Sequence, residues 1–152
     1  MSSVEVIIHP ESIIHSLVEY IDGSFLAHLG IPDMRIPISH CLGYPRRATL
    51  QLDRLDLAGM GQLTFKTPDE DKFPCLQLAK DSFEAGDSHP VVLNAANEVA
   101  VDLFLQNRIK FLEIGELNQK ALEKHQATEI RDLETIQEVD SWARRVVWEE
   151  VG

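Results

Sequence analysis

At 152 residues, with 44% hydrophobic side chains and a formal net charge of −11, the chain is long enough to bury a core of its own. A chain of this size buries roughly 70% of its unfolded surface and needs no covalent staples. Adjacent basic residues occur only at Arg46-Arg47 and Arg144-Arg145, so the chain lacks the clustered positive charge that non-specific nucleic-acid binding or an anionic membrane surface requires.

Cys41 and Cys75 form no CxxC pair and suit two reduced, buried thiols. No secretory apolar run follows Met1, and no run of about 18 apolar residues could span a bilayer. The expected setting is the cytoplasm, or a plastid if a transit peptide has been removed.

The elements follow in order. Val4–Ile8 is β-branched and apolar and reads as a strand, stopped where His9 precedes Pro10. Two β-rich runs over 13–31 flank Asp22-Gly23, the pair favoured by a two-residue type I′ hairpin turn. That turn sets Tyr20 opposite Phe25 and Leu17 opposite His28. One face then carries Ile14, Val18, Tyr20, Phe25, Ala27, Leu29 and Ile31 toward a core. The other carries His15, Leu17, Glu19, Ile21, Leu26 and His28, too apolar for plain exposure, so a covering helix or partner chain is expected. A slip of one residue would exchange the faces. Asp33 is placed to cap a helix from Met34 to about Leu42, ended by Gly43 and Pro45.

Residues 46–62 show no sustained periodicity and read as an extended linker. From Leu63 the pattern is helical. Thr67-Pro68-Asp69-Glu70 resembles a capping box with proline at the first helical position. Helices are expected from Pro74 to Ala85, from Ser88 to about Gln106, and over 114–125. Ile109–Leu112 reads as short and extended. Asp132 is placed to cap a short helix and Asp140 a separate last one over 141–151. The fold class is therefore α+β: a strand and hairpin from an incomplete mixed sheet, one short helix, an extended linker, then a small helical bundle.

Several groups have chemistry to offer. His15 and His28 lie on one hairpin face, but zinc needs three or four converging ligands and spacing supplies no third. His9 stands at a strand end before a proline, a common place for an active-site side chain, and Pro32-Asp33-Met34-Arg35 combines a rigid corner with an apolar side chain and a cation. Asn94 and Asn97 are poor mid-helix residues that share a face and are expected to bond a neighbouring segment, with Glu98 pairing a linker arginine. No GxGxxG, P-loop or GxSxG is present, and no acid cluster suggests magnesium.

The runs IHPESIIHS, YIDGS, GIPDMRIPI, FKTPDEDKFPCLQLAKDSFEAG and LNAANEVAV together resemble the C-terminal part of 1-deoxy-D-xylulose 5-phosphate reductoisomerases, from about Val4 to Val151. The resemblance implies an oxidoreductase and isomerase that makes 2-C-methyl-D-erythritol 4-phosphate, using NADPH and Mg2+ or Mn2+, in non-mevalonate isoprenoid synthesis. It divides the chain into the end of a central catalytic and dimerising domain (1–45), a linker (46–62) and a C-terminal helical domain (63–152). It places His9 near the active site and Pro32 and Met34 at the border of the substrate and nicotinamide pocket. It also implies a homodimer formed through the hairpin. The Rossmann fingerprint and the acidic metal ligands of the family are not in this chain. Neither cofactor is therefore expected to bind it alone, and alone it is expected to be inactive. The alternative reading is a non-catalytic dimerisation or interaction module.

Overall fold

The computed structural model describes residues 4–152; the first three positions of the expected 1–45 segment lie outside it. The chain divides into two compact units, one of Val6–Thr67 and one whose body is Pro68–Gly152. The elements are β1 (Ile14–Glu19), β2 (Phe25–Leu29), α1 (Arg35–Gly43), α2 (Leu57–Met60), α3 (Cys75–Ala85), α4 (His89–Leu105), α5 (Glu113–Lys124) and α6 (Leu133–Val151). A small antiparallel sheet followed by a helical bundle is the α+β arrangement the patterning predicts.

In the first unit the hairpin forms, but around a different loop. The Tyr20 carbonyl accepts the Gly23 N–H at 2.9 Å, and the Tyr20 N–H donates to the Ser24 carbonyl at 2.9 Å. This encloses three residues, Ile21–Gly23, with Gly23 at φ +80°, the turn-plus-bulge loop that ranks next after the two-residue turns. The cause is local: Asp22 Oδ1 accepts the Ser24 N–H at 2.9 Å and its hydroxyl at 2.6 Å, and those bonds hold the Asp22 carboxyl below its ordinary range. The register moves by one residue, to Glu19 opposite Phe25 and Leu17 opposite Ala27, with an irregularity between Ile14 and Ser16. Leu17 therefore joins Ala27 on the half-buried face, while Val18 and Tyr20 are 52% and 53% exposed rather than in a core.

Two further expectations for this unit are corrected. Residues 4–8 make no ladder; Ile8 forms one antiparallel bridge with Lys66, because a single paired residue lies alongside. The linker is not wholly extended: Asp56 accepts the Gly59 N–H at 3.0 Å and starts the single turn α2, which Gly61 ends at φ +74°. Between Val6 and Thr67 only Ile13 is buried, at 9% exposed. Met34, Leu42, Phe25 and Leu26 are exposed, and Ile21 is wholly so.

The second unit has a continuous core. Val92, Ala95, Ala96, Val99, Ala100 and Leu103 of α4 pack with Ile114, Leu117 and Ala121 of α5 and Val139, Ala143, Val146 and Val147 of α6. Four of the six α4 residues are Ala or Leu, strong helix formers, and three are small enough for close helix contact. Gly86 at φ +71° ends α3 and Asn107 at φ +60° follows α4, both in the left-handed region that stops helices. At Gly115 a Cβ would lie 3.1 Å from Pro74 Cγ, so the start of α3 sits directly against α5.

Here too the patterning is corrected in places. Asp69 makes a turn, accepting the Lys72 and Phe73 N–H groups at 3.0 Å, and helix begins only at Cys75. Residues 109–112 turn instead of extending. The last two helices are one. Asp132 caps it by accepting the Thr135 N–H at 2.8 Å, while Asp140 spends its carboxylate on Arg144 one turn later, at 2.7 Å, and so breaks nothing. Cys41 and Cys75 are free thiols, as expected, but exposed.

Leu103 is fully buried in the cluster, whereas Leu105 is 70% exposed. Leu103→Ala should lower the unfolding free energy of the helical unit by about 3 kcal/mol, and Leu105→Ala should change it by less than about 0.5 kcal/mol, measured by urea unfolding of the chain.

Candidate functional site

His9 is held from three sides. Its Nδ1 lies 2.8 Å from the Thr64 carbonyl and 3.0 Å from Glu11 Oε2. Both are acceptors, so Nδ1 carries the proton and donates. The ring stacks on Phe65 with centroids 5.0 Å apart. Glu11 is itself braced: Thr64 donates its N–H to Oε2 at 3.1 Å. The Thr64 side chain first, then the N–H groups of Glu11 and Thr64, hold its carboxyl below the ordinary range. The His9 side chain is only 6% exposed, and its Nε2 is buried without a partner. With Nδ1 committed, Nε2 is the one ring atom left to bond, and like Nδ1 it is closed to solvent.

The backbone bridge between Ile8 and Lys66 positions this clamp. It brings Thr64 and Phe65 beside His9 from 55 residues away. Glu11 was the more legible partner, two positions along and across Pro10; Thr64 and Phe65 carry no signal that sequence reasoning could use.

The corner at Pro32–Arg35 is a second rigid feature. Asp33 Oδ1 accepts the Arg35 N–H at 2.8 Å and Nε at 2.9 Å, and Oδ2 accepts Nη2 at 2.6 Å. This two-pronged pair fixes the entry to α1. Asp33 thus braces the start of the helix through Arg35, while the residue at the cap position proper is Met34. Pro32 is exposed and Met34 is 70% exposed. The hydrogen bonds and stacking of His9 go to Glu11, Thr64 and Phe65, and none goes to Pro32 or Met34.

His15 and His28 do meet, with ring centroids 5.7 Å apart, and His15 Nε2 donates to the Ser12 carbonyl at 3.1 Å. Among the described residues no three His, Cys, Asp or Glu side chains converge as metal ligands do. The residues present therefore do not fit a metal centre.

In the helical unit Asn97 Oδ1 accepts from Asn118 Nδ2 at 3.0 Å, and Asn94 bonds Glu98 within its own helix at 3.2 Å. Glu98 pairs not with a linker arginine but with Arg144 of α6, at 2.6 Å. A neutral cleft of about 380 Å³ lies here, lined by Cys75, Ser82, Asn94, Asn97 and Asn118 among others. Ser82 Oγ and Asn118 Oδ1 have no partner, yet both are closed to solvent, so the cleft does not present them to a ligand.

Comparison with known proteins sets these features in a family. Residues 29–146 match the profile of the DXP reductoisomerase C-terminal domain. A 1-deoxy-D-xylulose 5-phosphate reductoisomerase of Nitratidesulfovibrio vulgaris strain DP4 is 51% identical over 152 residues, which is 100% of this chain and 37% of that protein. The Pseudomonas syringae pv. syringae protein of the same name is 52% identical over 141 residues, 93% of this chain and 36% of its own. The solved structure of the Zymomonas mobilis reductoisomerase in complex with NADPH matches with a TM-score of 0.89 at 41% identity, over 97% of this chain and 39% of that one. A DOX-P reductoisomerase structure with fosmidomycin and magnesium matches at a TM-score of 0.81 and 40% identity, over 95% and 38%. The chain thus spans little more than a third of the length of these relatives.

The Asp33 carboxyl, held by Arg35, titrates at about 2 instead of its ordinary 3.8. Its depressed value makes the pair's contribution to the corner complete above pH 3.8 and lost as pH falls through about 2. Carboxyl carbon NMR should follow Asp33 as ionised at pH 3, and in Arg35→Ala its titration should move back toward 3.8.

Proposed function

Because the chain belongs to the 1-deoxy-D-xylulose 5-phosphate reductoisomerase family and corresponds to its C-terminal part, we propose that it supplies one wall of an active site and a dimer contact. The reaction is the conversion of 1-deoxy-D-xylulose 5-phosphate to 2-C-methyl-D-erythritol 4-phosphate. In this reading residues up to 45 complete the central catalytic domain, 46–62 link, and 63–152 form the C-terminal helical domain. NADPH would supply hydride and a divalent metal Lewis acidity; both would be held by parts of the enzyme outside this chain, whose described residues offer no ligand cluster. By itself the chain is inactive.

His9, Pro32 and Met34 line the pocket. His9 serves as a fixed ring within that wall: Glu11 and Thr64 hold its Nδ1–H. Met34, carried on the corner that Asp33 and Arg35 lock, presents its thioether as an apolar border, with Pro32 keeping the turn stiff. The exposed outer hairpin residues Val18, Leu26 and Ile21 form the dimer contact, which explains why a strand pair this short carries so much apolar surface. The observation that carries the proposal is the 51% identity across the whole chain.

The test is a chimera: the N-terminal portion of the N. vulgaris enzyme followed by this chain in place of its own C-terminal part. NADPH oxidation with 1-deoxy-D-xylulose 5-phosphate and Mn2+ should proceed within about tenfold of the parent rate, a cost under about 1.4 kcal/mol. The chain alone should give no turnover. His9→Ala in the chimera should lower kcat/KM by at least about tenfold with the fold intact by circular dichroism. A folded, dimeric, inactive chimera would overturn the proposal in favour of a non-catalytic interaction module.

A further inference from the structure

One buried polar group in the helical unit is bonded in a way that depends on a single proton. Ser88, at the N-terminus of α4, is fully buried. Its Oγ accepts the Thr128 N–H at 2.9 Å and lies 2.6 Å from His125 Nε2. A serine hydroxyl has one proton to give. With Thr128 already donating to the oxygen, the arrangement is satisfied when the Ser88 hydroxyl donates to an unprotonated Nε2. Thr128 lies in the segment between α5 and α6, so this one hydroxyl ties that segment to the start of α4.

We propose that Ser88 and His125 form a proton-operated latch, fastening the segment 125–132 while His125 is neutral and releasing it when His125 takes up a proton. Protonation gives Nε2 a hydrogen where it faces Oγ. The oxygen then receives two N–H donors, and its own proton has no acceptor among the described residues, Ser88 being closed to solvent. An unsatisfied buried hydroxyl is costly, and opening the segment to water relieves it. The surroundings add to the effect. His89 of α4 meets the His125 ring edge-on at 5.3 Å, and Trp142 of α6 covers it at 5.1 Å. Trp142 is neutral; His89, whose Nδ1 donates to the Gly86 carbonyl at 3.1 Å, is the titratable group whose charge opposes that of His125. Burial first, and His89 second, hold the His125 imidazole below its ordinary value of 6.5. A histidine whose folded-state value is depressed leaves the latch complete above 6.5 and weakens it as pH falls below.

Amide hydrogen exchange on the full chain between pH 7.5 and 5.5 tests this, with rates corrected for the intrinsic pH dependence. Protection of the Thr128 N–H should fall on the order of tenfold per pH unit below 6.5, until the fastened form itself is protonated. Val99 and Ala100 in the core should keep their protection. In His125→Gln, whose side-chain carbonyl can accept the Ser88 proton at any pH, Thr128 should stay protected across the range. In Ser88→Ala it should be unprotected throughout. A step at Thr128 that persists in His125→Gln, or one shared equally by the core amides, would overturn the latch, as would constant protection in the parent chain.

Discussion

The helical unit rests on the close approach of α4 to its neighbours. Ala95, Ala96 and Ala100 are all fully buried, and at these three positions α4 puts no more than a methyl group toward the helices it touches. Dispersion and hydrophobic burial fall steeply with separation, so three alanines in a row of contacts fix spacing more tightly than larger residues would. The polar groups follow from that spacing. Asn118, 1% exposed, reaches Asn97 because α5 is held close, and Arg144 reaches Glu98 because α6 is. Gly115 plays the same part at the edge of α3, where its missing side chain admits Pro74.

What could be read ahead of the structure was whatever local physics decides. Gly86, Asn107 and Asp132 act on the few residues around them, and the helix ends they mark stand where expected. Asp140 was misread because an aspartate before a helical stretch and one within a helix look alike; only the partner, Arg144, tells them apart. The hairpin was legible as a hairpin, but not its register. Asp22-Gly23 favours a two-residue turn in general, and Ser24 tipped the balance by giving Asp22 two hydrogens to accept. Of the clamp around His9, the histidine itself stood out before its proline, yet nothing around it foretold Thr64 and Phe65. Those contacts come from a strand bridge closing a long loop, and loop closure leaves no local trace.

The two units differ in what holds them. The helical unit buries thirteen apolar side chains in one cluster. The hairpin unit relies on hydrogen-bonded details, the Asp22–Ser24 turn, the Asp33–Arg35 fork and the His9–Glu11–Thr64 clamp, with little apolar burial behind them. Directional bonds of this kind set geometry well but contribute only modestly to net stability. A surface built from them is accurate in shape and dependent on what covers it.

The three-residue hairpin loop has a consequence beyond the turn itself. In a strand pair the side chains alternate, so the length of the tip acts as a parity bit for the whole ribbon. Substitutions at the tip leave that bit untouched as long as the loop keeps three residues. For this sequence, closing on two residues instead of three would slide one strand by a residue against the other and bring its opposite set beside the first. The surface presented to any neighbour is thus encoded less in the residues that compose it than in a count of residues at a point none of them occupies.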